Sequence, residues 1–155
     1  MSIFEELHNH PLQQLDLGHY CQVSVHDSVQ DVVHQMRVSN SNCAFVMDND
    51  ALVGIFTDRD VLRKVATHNA VWSQPVSDVM TPDPVVARSD YSIATALKLM
   101  DEHHVRNLPV LTPEGTVAGN FTHHAFMRYL ADYFPTDIYN RPSEAGRPTR
   151  HRHGA

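Results

Sequence analysis

Residues 54–60, with the sequence GIFTDRD, carry the side chains best suited to binding a ligand. They follow an apolar, strand-like run and precede an apolar pattern of helical period, which predicts a strand, a glycine-led turn and a helix start. The first turn of a helix has free N–H groups and a partial positive charge that suit a phosphate. The Thr57 hydroxyl and the Asp60 carboxylate add a phosphate donor and an acceptor for sugar hydroxyls. The combination suits a nucleotide better than a bare anion.

The same residues also have a purely structural interpretation. Thr57 or Asp58 would be the N-cap of the helix, and Asp60 an acidic first-turn residue favoured by the helix dipole. On the heptapeptide alone this interpretation is the stronger one. The balance changes because the stretch occurs twice in the chain.

An internal repeat of about 64 residues organises the chain. Two serines suited to N-caps each precede an apolar stripe with the spacing of one helix face. The stripes are Val29, Val32, Val33 and Met36 after Ser28, and Ile93, Ala96, Leu97 and Met100 after Ser92. After one extra residue in the turn at 112–115, Gly54, Phe56 and Thr57 correspond to Gly119, Phe121 and Thr122. This pattern predicts an α/β fold of two strand–helix–strand–strand–helix units packed face to face.

The patterns divide the chain into five segments. They are an N-terminal helical segment (1–18), a first repeat (19–70), a connector with at most one helical turn (71–82), a second repeat (83–134) and a C-terminal tail (135–155). The tail has too few apolar residues to build a core of its own, so we expect it to be flexible.

Composition excludes several classes of protein. Residues 1–135 carry 8 Lys and Arg against 16 Asp and Glu, which argues against a nucleic-acid-binding surface. No apolar stretch approaches the ~20 residues that span a bilayer, and the acidic N-terminus does not resemble a signal peptide. Two cysteines make no disulfide framework, so we expect a reduced, cytoplasmic protein.

Histidine is abundant, with 12 residues, but its spacing does not predict a metal site. The pairs His103–His104 and His123–His124 are adjacent, so they lack the i, i+4 spacing of a helical zinc pair. We therefore expect no protein-bound metal. Asp58 and Asp60 would at most bring Mg²⁺ to a bound polyphosphate, and for Asp58 we favour a helix-capping role.

Three motifs in this order resemble a tandem pair of CBS domains, often called a Bateman module. They are GIFTDRD at 54–60, VMTPDPV at 79–85 and VRNLPV at 105–110, within a resemblance that covers residues 15–133. The resemblance implies an α/β fold in which two repeats stack their sheets about a pseudo-twofold axis, leaving two clefts. It also implies that the chain forms a homodimer.

The resemblance implies an adenosine-containing ligand, such as AMP, ADP, ATP, NAD or S-adenosylmethionine, with AMP, ADP and ATP foremost. By similarity, Thr57 would hold a phosphate and Asp60 the ribose hydroxyls, with Arg59 in reach of a phosphate. The adenine would bond to the backbone near Cys43 and Ala44.

The second repeat departs from this pattern. It reads GNFTHHA at 119–125, so Thr122 keeps the hydroxyl whereas Ala125 replaces the ribose carboxylate. Sugar hydroxyls without an acceptor are costly, so we expect one good cleft and one weak or empty cleft. Arg106 corresponds to Asn42, and by similarity it would help to hold phosphates. An exposed strand residue in a surface ion pair is the alternative.

These expectations lead to a stand-alone regulatory module that performs no chemistry. The bound ligand would change the conformation or the affinity for a protein partner whose identity the sequence does not indicate. The main alternative is a structural dimerisation module that binds no nucleotide, which the loss of the acidic residue in the second repeat favours. A nucleotide hydrolase ranks last, because no spacing assembles a base, a nucleophile and an oxyanion site.

Overall fold

The computed structural model describes residues 2–133. By its contacts the chain divides into two compact units, Met1–Thr122 and a second unit that begins at His123. The first helix, α1 (Ile3–Asn9), starts with a capping box in which Ser2 and Glu5 each accept from the other's backbone N–H. Two of its apolar side chains, Ile3 and Phe4, are 44% and 67% exposed.

The first repeat forms a four-stranded sheet with the order β1-β2-β3-β4. Strands β1 and β2 are parallel, and the β2–β3 and β3–β4 pairs are antiparallel. A crossover helix, α2, joins the parallel pair, as parallel strands require. The bounds are β1 (Cys21–Ser24), α2 (Val29–Val38), β2 (Cys43–Asp48), β3 (Ala51–Thr57), α3 (Asp58–Asp60), a π-helical turn (Val61–Val65) and β4 (Thr81–Pro82).

The second repeat forms a three-stranded sheet with the order β5-β6-β7, again one parallel and one antiparallel pair. The C-terminal unit contributes one described helix, α5. The bounds are β5 (Ala87–Arg88), α4 (Ile93–His103), β6 (Asn107–Leu111), β7 (Val117–Thr122) and α5 (His123–Tyr133). Among residues 2–133, no helix combines the length and the apolar character that crossing a membrane requires.

The predicted repeat is confirmed in local detail. Ser28 caps α2 by accepting from the Asp31 N–H, and Ser92 caps α4 by accepting from the Thr95 N–H, both at 3.1 Å. The chain leaves both helices through a left-handed residue, Asn40 with φ 53° and His104 with φ 54°. The predicted stripes face the interior. Their fully or nearly fully buried members are Val29, Val32, Met36, Ile93, Ala96 and Met100.

The repeat extends further upstream than the sequence pattern predicts. The Leu12 N–H donates to Tyr91 O at 2.9 Å, and 64 residues later the Val76 N–H donates to Asp27 O at 2.8 Å. Leu12 and Val76 are both fully buried. The segment before each repeat therefore packs on the other repeat, and this reciprocal arrangement is what a pseudo-twofold relation produces.

The connector differs from the prediction of at most one helical turn. Two 3₁₀ turns occur, Asn69–Ser73 and Val76–Asp78, followed by β4 on the first sheet. Prolines and N-cap candidates suggested a loop, yet burial of Val76 and Val79 fixes this segment against the first repeat. Tertiary packing has overridden the local turn signals.

The two faces of β2 serve different parts of the core. Ala44 and Val46 lie in a cluster with the buried face of α2 and with Phe56 of β3. Cys43 and Phe45 lie in a second cluster, against which Val117 of β7 also packs. The second face is therefore where the two sheets meet.

Candidate functional site

The candidate site lies where β3 ends and α3 begins. Thr57 is the last residue of β3 and the N-cap of α3, and Asp60 is the third residue of that helix. The antiparallel register places Cys43 beside Thr57 and Ala44 beside Phe56, so the start of β2 borders the same strand end. The structure thus brings four of the predicted residues, Thr57, Asp60, Cys43 and Ala44, to one end of the first sheet.

Thr57 and Asp60 form a reciprocal capping box. The Thr57 N–H and hydroxyl donate to Asp60 Oδ2 at 3.0 and 3.3 Å, and the Asp60 N–H approaches Thr57 Oγ1 at 3.4 Å. Asp60 is 9% exposed, which is low for a carboxylate. The predicted helix-capping role is therefore present in the structure.

A residue that the sequence analysis overlooked, Lys64, completes the surroundings of the carboxylate. Its Nζ lies 3.3 Å from Asp60 Oδ1 and donates a 2.8 Å hydrogen bond to Val79 O. The i, i+4 spacing of Asp60 and Lys64 was visible in the sequence and is typical of a helical ion pair. The contact of Lys64 with Val79 could not be predicted from the sequence, because it depends on how the connector packs.

The carboxylate retains capacity for a sugar. An ionised carboxylate has about four lone-pair positions. Two donors from Thr57 use Oδ2, whereas within residues 2–133 Oδ1 is contacted by the ammonium of Lys64 alone. The neighbouring 2′ and 3′ hydroxyls of a ribose would therefore bind chiefly at Asp60 Oδ1. These acceptor positions fit the hydroxyls of a ribose, provided that Lys64 shares or gives up Oδ1.

Cys43 and Ala44 are both fully buried, but they face opposite sides of β2. Burial, with smaller effects of Cys21, Asp58 and Asp60, raises the pKa of the Cys43 thiol far above its ordinary value. A thiol in this state is neither a nucleophile nor a metal ligand. The predicted structural role of Cys43 is consistent with this environment, and only the backbone of these two residues is suited to ligand contacts.

We expect the Cys43 thiol of the folded protein to resist alkylation. Iodoacetamide at pH 8 should modify Cys21, which is partly exposed, while Cys43 remains unmodified until denaturant is added, because its thiolate is disfavoured and its sulfur is inaccessible. Peptide mass spectrometry after timed alkylation measures both sites in one sample. Modification of Cys43 at the rate of Cys21 would contradict the buried environment.

The two predicted arginines, Arg59 and Arg106, lie next to different sheets. Arg59 is exposed on the first turn of α3, beside Asp60. Arg106 is exposed just before β6 of the second sheet. Within residues 2–133, neither guanidinium forms an ion pair, so the surface ion pair considered for Arg106 is not found there. Each guanidinium is available to a phosphate.

The corresponding strand end of the second sheet has different chemistry. Thr122 ends β7 beside Asn107, as Thr57 ends β3 beside Cys43. Asn120, fully buried, occupies the position of Ile55 and donates through Nδ2 to Asn107 Oδ1 at 3.0 Å and to His19 O at 3.3 Å. The side-chain amides of Asn120 and the partly buried Asn107 thus replace the apolar side chains of Ile55 and Cys43. The two strand ends are not equivalent.

The described part of the chain offers no metal centre. No three His, Cys, Asp or Glu side chains within residues 2–133 group together in a way that would hold an ion.

Comparison with known proteins shows the family. The sequence model of the CBS domain matches residues 21–67 and 76–132. An uncharacterised Bacillus subtilis protein, YlbB, is 40% identical over 93 residues, 59% of this chain and 62% of its own length. The Arabidopsis thaliana protein CBSCBSPB1, a CBS domain-containing protein, is 40% identical over 96 residues, 61% of this chain and 18% of its own length. The chain thus spans less than two thirds of either relative.

Solved structures share the fold. A conserved protein from Pyrococcus horikoshii aligns with a TM-score of 0.70 and 24% identity over 79% of this chain and 92% of its own. A Pyrobaculum aerophilum CBS domain protein complexed with AMP aligns with a TM-score of 0.67 and 16% identity over 74% and 88%. The cytosolic domain of the Mg²⁺ channel MgtE in complex with ATP has a TM-score of 0.63 and 23% identity over 75% and 47%. With both repeats matched, the chain belongs to the CBS domain family and carries two CBS domains in tandem.

Proposed function

We propose that the chain is a regulatory module that binds an adenosine-containing ligand at the Thr57–Asp60 end of the first sheet. The observation that carries the proposal is the carboxylate of Asp60, which is held at a helix start and whose Oδ1 contacts only the partly exposed ammonium of Lys64 within residues 2–133. CBS-pair proteins are generally regulatory, and two structural neighbours were solved with AMP and with ATP. The ligand of this chain is inferred from these points together.

Each part of the ligand has a proposed partner. The exposed Arg59 guanidinium and the Arg59 N–H would hold a phosphate, joined by the Thr57 hydroxyl once it turns away from Asp60 Oδ2. The Asp58 and Asp60 N–H groups already donate to Asn42 O and Thr57 Oγ1. Asp60 would accept from the ribose, and the backbone of Cys43 and Ala44 would border the adenine. Arg106 would assist with phosphates in the second repeat. Mg²⁺ would accompany a polyphosphate only, bound chiefly by the phosphates.

The two repeats are proposed to differ in affinity. Thr122 supplies a hydroxyl in the second repeat, but Ala125 stands where Asp60 stands in the first repeat. An alanine accepts no hydrogen bond from a sugar, and unpaired hydroxyls cost about 1–3 kcal/mol each. We therefore propose one ligand per chain at low concentrations.

The module would act by binding its ligand more tightly in one conformation than in another, since only differential affinity shifts an equilibrium. We propose that it works in the cytoplasm as a homodimer and passes occupancy to a protein partner. It would perform no chemistry itself, and neither a nucleic acid nor a membrane is proposed as a partner.

Isothermal titration of the purified chain with AMP, ADP, ATP, NAD and S-adenosylmethionine tests the proposal. We expect saturable binding of at least one ligand with a stoichiometry near one per chain. Inosine monophosphate provides a matched control, because it keeps the ribose and phosphate but changes the edge of the base. Absence of binding across the whole panel would contradict the proposed function.

A structural dimerisation module that binds no nucleotide is the second candidate. One observation favours it: both oxygens of Asp60 already have donors within the chain. Such a module would show no thermal shift with any nucleotide, while its unfolding temperature would rise with protein concentration through mass action. A nucleotide-dependent shift at fixed protein concentration would exclude this candidate.

A further inference from the structure

Lys64 links the proposed ligand site to the connector. Its ammonium lies 3.3 Å from Asp60 Oδ1 and donates to Val79 O at 2.8 Å. Val79 stands two residues before β4, which pairs with Gly54 and Ile55 and leads directly into the second repeat. One ammonium thus contacts both the carboxylate proposed to bind ribose and the chain segment that joins the two repeats.

We propose that Lys64 regulates the Asp60 site as a competing cation. In the ligand-free protein its ammonium occupies Asp60 Oδ1 and holds the connector at Val79. Sugar hydroxyls that bind Oδ1 displace the ammonium and release the connector. The ligand-dependent half of this inference rests on the proposed function.

The distribution of hydrogen-bond donors supports the competition. Oδ2 already accepts from the N–H and the hydroxyl of Thr57, so Oδ1 is the oxygen that a sugar would approach. The Lys64 side chain is 41% exposed, and an ammonium so placed turns to water at small cost. Displacement is therefore feasible without rearranging the core.

Comparison of the two repeats supports a joint role for the pair. At the offset of 65 residues, Ala125 replaces Asp60 and Tyr129 replaces Lys64, so the repeat that lacks the carboxylate also lacks the ammonium. The helix is also irregular here, because the Ala66 N–H donates to Val61 O across a π-helical turn. Such turns are frequent at functional sites. A general surface ion pair would not account for the contact with Val79.

Titration with two nucleosides separates competition from simple packing. Adenosine presents the ribose diol without phosphate charge, whereas 2′,3′-dideoxyadenosine lacks both hydroxyls. We expect Lys64→Met to bind adenosine about two- to fivefold more tightly than wild type, as expected when a weak, exposed ion pair no longer competes. Affinity for dideoxyadenosine should be unchanged. Arg63→Met, one residue away and exposed, is the matched control and should change neither affinity.

Hydrogen exchange measures the connector directly. The amides of Met80, Thr81 and Asp83 should exchange several-fold faster in ligand-free Lys64→Met than in wild type, and adenosine should speed the same amides in wild type only. Lys64→Arg should restore slow exchange, because its guanidinium can bridge the same two oxygens. Unchanged exchange in ligand-free Lys64→Met, or equal gains in affinity for both nucleosides, would overturn the inference.

The experiment distinguishes this inference from the proposed function. Wild type that binds nothing in the nucleotide panel would refute the proposed function. If Lys64→Met then still exchanged faster at Met80, Thr81 and Asp83, Lys64 would be a structural contact and the regulatory inference would fall. Binding in wild type with weaker adenosine binding in Lys64→Met would leave the proposed function intact and refute the competition.

Discussion

Asp60→Ala should weaken binding of the proposed ligand about tenfold to a hundredfold. The substitution removes the acceptor of the sugar hydroxyls, and hydrogen bonds to a charged group contribute about 1.5–3 kcal/mol. It also removes half of the capping box, which should lower the free energy of unfolding by about 1 kcal/mol. Isothermal titration with whichever nucleotide binds wild type measures the first effect, and urea denaturation measures the second.

Asp58→Ala is the matched control for this substitution. Asp58 lies in the same first turn and contributes the same charge to the helix start, but its side chain is exposed. We expect its effect on affinity to stay within about threefold, the size of a first-turn dipole contribution. Equal affinities of wild type and Asp60→Ala would show that the sugar binds elsewhere, whatever the stability measurements give.

Local chemistry made much of the fold predictable. The N-cap serines, Ser28 and Ser92, and the apolar stripes that follow them report the helices directly, because capping and one-sided burial are local requirements. The tandem arrangement also followed, since motifs 64 or 65 residues apart must belong to equivalent positions of two similar units. For the same reason the sequence placed Thr57 correctly at a strand-to-helix junction.

The part of the fold that was missed depends on contacts distant in sequence. Residues 10–17 pack on the second repeat through the bonds of Leu12 with Tyr91 and of Leu17 with Asn120. A signal existed, because a proline followed by an apolar residue occurs at Pro11–Leu12 and again 64 residues later. The first proline looked like a helix stop and the second like part of a connector. Local sequence patterns do not show which distant segment a residue packs against.

The candidate site shows the same limit. Thr57 and Asp60 were identifiable because their roles at a helix start are local. The Lys64 contact with Val79 required knowledge of how the connector folds back onto the first repeat. The buried amide of Asn120 was missed for a similar reason, because its partners, His19 and Asn107, belong to separate parts of the chain.

Gly119→Ala should lower the free energy of unfolding by about 3 kcal/mol, at the upper end of what overpacking usually costs. A methyl group at Gly119 would overlap Leu17 Cβ and lie 2.7 Å from the Leu17 carbonyl oxygen. That oxygen accepts from the Asn120 N–H at 2.8 Å, so the N-terminal segment cannot move away without breaking this bond. Urea denaturation measures the loss, and hydrogen exchange at Asn120 should show that it arises where Leu17 contacts β7.

Gly54→Ala provides the matched control, because Gly54 occupies the equivalent position in the first repeat. There the added methyl group would meet the Sδ, Cγ and Cε atoms of Met80, a partly exposed and flexible side chain. Met80 can turn aside, so we expect a cost of about 1 kcal/mol or less. Because the two substitutions are chemically identical, a difference between them measures how firmly each segment is held. A cost for Gly119→Ala as low as about 1 kcal/mol would mean that residues 10–17 are not fixed on β7 as the reciprocal arrangement requires.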